Sequence, residues 1–222
     1  MIKIAIFNNK GGVAKTTSVI NLAYCLMQQG KRVLVVDCDQ QENCFNFFAN
    51  SLSADAILPT DYDKINITRY SQLPSNPEGY DYILFDMPPT LNDEVREIIG
   101  QCDRVYVPTI LGAFEISGLR KVTNEINAQE VKLGGIFVTM YQAQNDAEII
   151  ADFRKVLGNS LMTTVIPYSK IVRKSLIEGL PIEAYFIRNG VPKTKRSWAI
   201  VNAYEGLALE IMRGDNNALY VW

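Results

Sequence analysis

The residues of this chain with types and spacing suited to chemistry are Lys10, Lys15, Thr16, Thr17, Asp37, Asp39 and Asp86. The segment Asn9-Lys10-Gly11-Gly12-Val13-Ala14-Lys15-Thr16-Thr17 follows an apolar run, Ile2 to Phe7, and opens into a helix-like stretch. Glycines let the backbone fold tightly so that successive N–H groups face one anion. The helix behind adds its positive end, a lysine adds charge, and a threonine hydroxyl can ligate a hard cation. Such a segment makes a phosphate cradle. The aspartates close apolar runs, VVDCDQQ and YILFDMPP. The second is a Walker B pattern, in which a strand lifts one carboxylate to its tip to hold a Mg²⁺ water opposite Thr16. Taken alone, Asp86 could equally cap the turn before Pro88-Pro89; the loop at residues 10 to 17 favours the metal role. Asp37 and Asp39 have the i, i+2 spacing of an extended strand tip, which turns both carboxylates to the nucleotide side and Cys38 into packing. With no histidine in the chain, chemistry must rest on carboxylates, lysines and a hard metal. Phosphoryl transfer asks for little more, because lysine and Mg²⁺ meet its transition-state charge.

Positioning these groups requires strands that end at one edge. Strand-like and helix-like runs alternate: Ile2 to Phe7 then Thr17 to Gln29, Arg32 to Asp37 then Gln41 to Asn50, Tyr80 to Asp86 then Leu91 to Gln101. Arg104 to Pro108, Gly118 to Ala128, Leu133 to Met140, Asp146 to Leu157, Met162 to Ile166 and a last helix near Trp198 to Met212 continue the pattern. Gly30 supplies a stop for the first helix. Runs such as VLVVD and YILFD are apolar without alternation, as in strands covered on both faces. The expected fold is therefore α/β, a mostly parallel twisted sheet with helices on both faces, and ligands gather outside the carboxyl ends of its strands. The stretch Ser51 to Pro77, with Pro59, Pro74 and Pro77, reads as irregular surface with one strand near Ile65 to Tyr70.

A length of 222 residues suits a single domain over 1–222. A net charge of −2 announces no nucleic acid globally, so any such binding must come from a local patch. Met1 leads straight into a strand, and no apolar run approaches the roughly 18 residues of a membrane span. A cytoplasmic protein is expected. Four cysteines without CxxC spacing read as buried thiols.

The ordinary P-loop pattern places glycine where this chain has Asn9 and Ala14, and a second lysine, Lys10, precedes Gly11-Gly12. The resulting string, KGGxxKT, resembles the deviant Walker A motif of the ParA/MinD family of ATPases. The likeness extends through VVDCDQQEN, YILFDMPP, VYVPT, FVTMY, VIPYSK and GLPIEAY in family order. It implies a P-loop NTPase of the deviant Walker A type with ATP and Mg²⁺ as cofactors. Lys10, Gly11, Gly12, Val13, Ala14, Lys15, Thr16 and Thr17 would bind the nucleotide. Lys10, Lys15 and Asp39 would be catalytic, with Lys10 reaching the partner subunit's ATP across a homodimer and Asp39 orienting the attacking water. Thr16, Asp37 and Asp86 would support the metal. The family usually reads DxDPQGN, whereas Gln40 and Glu42 stand here for proline and glycine. The extra negative charge of Glu42 near the site is expected to lower the basal rate or alter the turn, and Ala14 is tolerable if its φ is helical.

The chain opens on the P-loop strand, as in small ParA-type partition proteins without an N-terminal helix-turn-helix domain. That resemblance implies an ATP dimer that binds DNA non-specifically and is released when a ParB-like or other adaptor stimulates hydrolysis. Nucleoid association of the ATP form would follow. Candidate DNA contacts are Lys170, Arg173, Lys174, Arg188, Lys193, Lys195 and Arg196, with only Glu178 and Glu183 as acids in that span. A solvated charged face competes with this reading, because the arginines typical of the family fall on Tyr168 and Ile171. The alternative is a MinD-like or cargo-positioning ATPase using a membrane or protein scaffold. The tail Gly214 to Trp222 is neither basic nor amphipathic enough to favour a membrane, and no cysteine motif suggests an iron–sulfur relative.

Overall fold

A computed structural model describes residues 1–49, 55–112, 114–194 and 197–216. Strand β1 (Ile2–Ile6) leads through the glycine loop into helix α1 (Lys15–Gln28), and β2 (Val33–Asp37) into α2 (Asn43–Phe48). There follow β3 (Leu58–Pro59), β4 (Ile65–Arg69), β5 (Tyr82–Asp86), α3 (Asp93–Gly100), β6 (Arg104–Thr109) and α4 (Glu115–Ala128). The chain continues with β7 (Lys132–Tyr141), α5 (Ala143–Leu157), β8 (Leu161–Pro167), α6 (Ile171–Ile177), α7 (Ile182–Arg188) and α8 (Ala199–Asn216). Among the described residues the strands form one sheet in the order β3-β4-β2-β5-β1-β6-β7-β8. Every neighbouring pair is parallel except β3 with β4.

All five residues of β2 and of β5 are buried, because helices cover both faces of the sheet. On one face Val19, Leu22 and Leu26 of α1 pack with Phe45 and Phe48 of α2, Phe186 of α7 and Tyr204 and Leu207 of α8. The other face is closed by Val95 and Ile98 of α3, Leu119 and Val122 of α4 and Phe153 of α5. Each such side chain, fully buried, contributes about 1.5–3 kcal/mol. The cysteines are free thiols; Cys25, Cys44 and Cys102 are buried and Cys38 is half-buried.

Local chemistry sets the helix ends. Gly30, at φ 82°, lets α1 finish in a Schellman turn, with Gly30 N–H donating to Met27 O and Lys31 N–H to Leu26 O. Helix α3 starts two residues later than Leu91 because Asn92 caps it, its Oδ1 accepting from Val95 N–H at 2.9 Å. Helix α5 starts earlier than Asp146, whose carboxylate accepts from Gln142 N–H at 2.6 Å one turn back. The expected helix over Gln41 to Asn50 is confined to α2, because residues 39–42 form a turn ending in Glu42 at φ 52°. Asn50 lies outside the described residues.

The stretch after α2 is not all surface. Ile65 and Ile67 of β4 are buried beside β2, an inner position that their alternation with Asn66 and Thr68 serves. Residues 51–54 lie outside the described residues. The short helices α6 and α7 carry too few turns to show a period in sequence. Asn21, buried in α1, fixes the second: its Oδ1 accepts from Ile182 N–H at 2.9 Å just after Pro181.

Candidate functional site

The sheet order brings the site together. Strand β5 lies between β1 and β2, with Ile6 level with Asp86 and Asp86 level with Asp37. Loops following these strands therefore open at one edge, with the end of β5 between the glycine loop and the turn after β2. Asn8, 4 % exposed, holds the start of that loop by donating to Pro108 O at 2.9 Å and accepting from Lys10 N–H at 3.0 Å. Its end is held by the buried Thr139 hydroxyl, 3.2 Å from Val13 O. Gly12 takes φ 75°, which favours glycine. A Cβ added at Gly11 or Gly12 would meet no protein atom within 4 Å, so the loop faces open space.

Ala14 departs from the helical φ on which its tolerance was expected to rest: it sits at φ 64°, ψ 35°, before the first residue of α1. The position that the ordinary pattern gives to glycine is left-handed here, and alanine carries the steric cost of about 1–2 kcal/mol.

Lys15 is 8 % exposed and donates to Lys10 O at 3.0 Å. Burial pulls its pKa below the ordinary lysine value, while the charges of Asp86 and Asp39 pull it back up. Asp86 is 1 % exposed, and no hydrogen bond of ordinary geometry reaches either carboxylate oxygen. Burial pushes its pKa up to about 8; the adjacent Thr16 hydroxyl and Lys15 ammonium oppose that rise and Asp37 adds to it. A buried carboxylate with unfilled acceptor capacity beside a threonine hydroxyl suits a hydrated Mg²⁺. The donor set fits the expected metal.

Asp37 and Asp39 do different work, contrary to the reading that the strand spacing turns both to the nucleotide. The Asp37 carboxylate turns back onto the chain, accepting from Asp39 N–H at 2.9 Å and Phe45 N–H at 2.8 Å. Burial raises its pKa and these N–H groups lower it. Asp39 is half-buried, accepts from Gln41 N–H at 3.0 Å, and lies near enough to Lys15 to act on its charge. Lys10 is exposed in the loop and its ammonium is ion-paired with Glu115, the first residue of α4.

The negative charge of Glu42 does not stand free beside the site. Arg69, level with Asp37 on β4, holds its carboxylate through two contacts, Nε to Oε1 at 2.6 Å and a terminal nitrogen to Oε2 at 2.9 Å. That pairing lowers the Glu42 pKa and raises that of Arg69.

Beside the loop is a largely apolar cavity of about 690 Å³, reached from Ala14 and Thr17 and lined by Met140, Tyr168, Arg173 and Tyr204 among others. Nothing in the sequence singles out Tyr204, which comes from α8 far along the chain.

Of the basic candidates, Lys170, Arg173 and Lys174 are exposed on α6 and its cap, and Arg188 is exposed at the end of α7. Lys193 lies over the Trp198 ring, 4.6 Å from its centroid. Lys195, Arg196 and Trp222 lie outside the described residues. Among the described residues no helix is long and apolar enough to cross a membrane.

The sequence profile of the CobQ/CobB/MinD/ParA nucleotide binding domain matches residues 4–182. The chain belongs to this family. It is 30 % identical over 202 residues to the chromosome-partitioning ATPase Soj of Thermus thermophilus, covering 74 % of this chain and 80 % of that protein. With the chromosome-partitioning ATPase Soj of Treponema pallidum the figures are 26 % over 252 residues, 94 % of this chain and 96 % of that one. In fold the chain is similar to the septum site-determining protein MinD of Pyrococcus horikoshii in complex with Mg-ADP, at TM-score 0.74 and 21 % identity over 98 % of this chain and 99 % of that chain. A plasmid partition protein from Borrelia burgdorferi is similar at TM-score 0.65 and 18 % identity, over 85 % and 98 % of the two chains. The P-loop NTPase α/β architecture expected from the sequence is thus the one found.

Proposed function

We propose that this member of the family is a ParA-type ATPase that dimerises on ATP, binds DNA non-specifically and moves a DNA cargo through partner-stimulated hydrolysis. The observation that carries the catalytic half is the convergence of Lys15, Thr16 and the unpartnered Asp86 behind an open glycine loop containing a second lysine. The partition half is supported by relatives that are themselves partition ATPases and by the exposed cations of α6 and α7.

The N–H groups of residues 11 to 17 and the Lys15 ammonium take the β- and γ-phosphates. Thr16 and Asp86 hold the metal, whereas Asp37, with both oxygens engaged by backbone N–H groups, contributes by fixing the turn that carries Asp39. Mg²⁺ bound there neutralises charge on the phosphates. Asp39 accepts a hydrogen bond from the attacking water and aligns it with the γ-phosphorus. The apolar cavity adjoining Ala14 and Thr17 takes the nucleoside. Lys10 leaves Glu115 to reach the partner's nucleotide, so that ATP joins two subunits. In the cell such a dimer would associate with the nucleoid and release it when a ParB-like or other adaptor triggers turnover.

Molecular mass and DNA binding, measured in one buffer with ADP, ATP or a non-hydrolysable analogue across a salt series, test this reading. A dimer that binds DNA of any sequence only with ATP or the analogue, and releases it as salt rises, is the expected result. An ATP dimer that ignores DNA would move the assignment to a protein or membrane scaffold. Failure to bind ATP would end it.

A further inference from the structure

The turn carrying Asp39 is built without the glycine that the family pattern places at position 42. Glu42 holds the left-handed conformation there, at φ 52° and ψ 32°. Its N–H donates to Asp39 O at 2.9 Å, so the geometry of residue 42 is transmitted directly to Asp39. The Glu42 carbonyl accepts from Asn46 N–H at 2.9 Å, so the backbone is tied on both sides, and its side chain has a partner as well. Arg69 forks onto both of its carboxylate oxygens at 2.6 and 2.9 Å, an arrangement that fixes direction as well as distance. The same guanidinium carbon lies 3.6 Å from the centroid of the Phe45 ring. Phe45 N–H in turn donates to Asp37 Oδ2, and Asp37 Oδ1 accepts from Asp39 N–H. Arg69 thus grips the turn at residue 42 and at the first turn of α2, from a strand that is itself in register with Asp37.

We infer that Glu42 and Arg69 form a brace that replaces the missing glycine and that Arg69 is a positioning residue for Asp39 in hydrolysis. The inference rests on the ATPase reading and deepens it. It accounts for a substitution that would otherwise only load negative charge onto a phosphate site. The pair is roughly one-third exposed, at 33 % for Arg69 and 35 % for Glu42. Removing the arginine head therefore frees the turn and also uncovers the ring of Phe45, which is itself buried.

Three proteins test it: Arg69→Gln, Glu42→Gly, and the two combined. Steady-state ATPase kinetics should show kcat reduced about tenfold in Arg69→Gln, the scale expected when a water-orienting group drifts by a fraction of an ångström. KM for ATP should stay within about twofold of wild type, because the phosphate loop is untouched. Glu42→Gly should restore kcat in the Arg69→Gln background, since glycine takes the left-handed conformation without a brace. A purely structural arginine would instead lower the melting temperature while leaving kcat per folded molecule unchanged, and that result would overturn the proposal. So would a combined variant no faster than Arg69→Gln alone. Amide exchange on the nucleotide-free proteins gives a readout independent of turnover: protection of Asp39, Glu42 and Phe45 should fall in Arg69→Gln and return in the combined variant. If wild-type protein binds ATP but does not hydrolyse it, the hydrolase reading fails and the catalytic role of Arg69 falls with it. In that case unchanged exchange in Arg69→Gln would remove the brace as well.

Discussion

Replacing Asp86 with asparagine should stabilise the nucleotide-free protein at alkaline pH while removing its response to Mg-ATP. The carboxylate is buried, has no hydrogen bond of ordinary geometry, and lies beside the Thr16 hydroxyl, Lys15, Asp37 and Asp39, with its pKa raised from 3.8 to about 8. A raised carboxylate pKa means that the folded state keeps a proton that the unfolded chain releases. The stability tied to that proton is fully present below about pH 4, declines as pH rises, and is lost above about pH 8. One proton corresponds to about 1.4 kcal/mol per pH unit, so the change between pH 5 and pH 8 has a ceiling of about 4 kcal/mol. Water entry and local relaxation reduce it, and about 2 kcal/mol is expected. Asparagine has the same shape and no charge at any pH. The advantage of the variant over wild type should grow by about 2 kcal/mol between pH 5 and pH 8, or about 4–8 °C in melting temperature for a chain of this size. Thermal unfolding followed by circular dichroism in chelator, at unit steps from pH 5 to 8, measures this. Saturating Mg-ATP at pH 8 should then raise the melting temperature of wild type by several degrees, through RT ln(1 + [L]/Kd), and that of the variant by much less. Parallel pH profiles for the two proteins would refute the argument that Asp86 is a desolvated carboxylate. Equal stabilisation by Mg-ATP would remove it from the metal site.

Ala14→Gly should raise unfolding free energy by about 1 kcal/mol, because glycine takes φ 64° without a Cβ clash; a denaturant midpoint equal to or below wild type would contradict the strain assigned there. Lys10→Ala should keep ATP binding and lose the ATP-dependent dimer. Glu115→Gln should instead bring dimerisation to lower ATP concentration by releasing Lys10 from its ion pair, and sedimentation across an ATP titration separates the two effects. Changing Lys170, Arg173 and Lys174 together to alanine should reduce the slope of log affinity for DNA against log salt by up to about 3 per subunit, and an unchanged slope would make α6 a solvated face.

The chemical inventory was legible in the sequence because a phosphate loop is local: its glycines, lysines and threonine lie within nine residues and owe their relation to one strand-to-helix turn. The apolar strands VLVVD and YILFD announced a sheet covered on both faces for the same reason, since burial on two sides leaves no alternation to conceal it. Long-range placement was not legible. That Asp86 stands level with Asp37 depends on β5 entering the sheet between β1 and β2, which no local pattern records. Tertiary structure decided that Asp37 turns back onto the chain, that Glu115 receives Lys10, and that Tyr204 from α8 helps line the cavity beside the loop. It also reversed the meaning of two substitutions. Alanine at 14 and glutamate at 42 both hold left-handed backbone, a property fixed by the path of the loop between elements. The charge of Glu42 could be judged only once β4 had brought Arg69 beside it. Sequence determines which groups are available and the short turns that hold them, because these depend on neighbours along the chain. Distances between groups on different strands follow from strand order and register, which only packing the whole sheet decides.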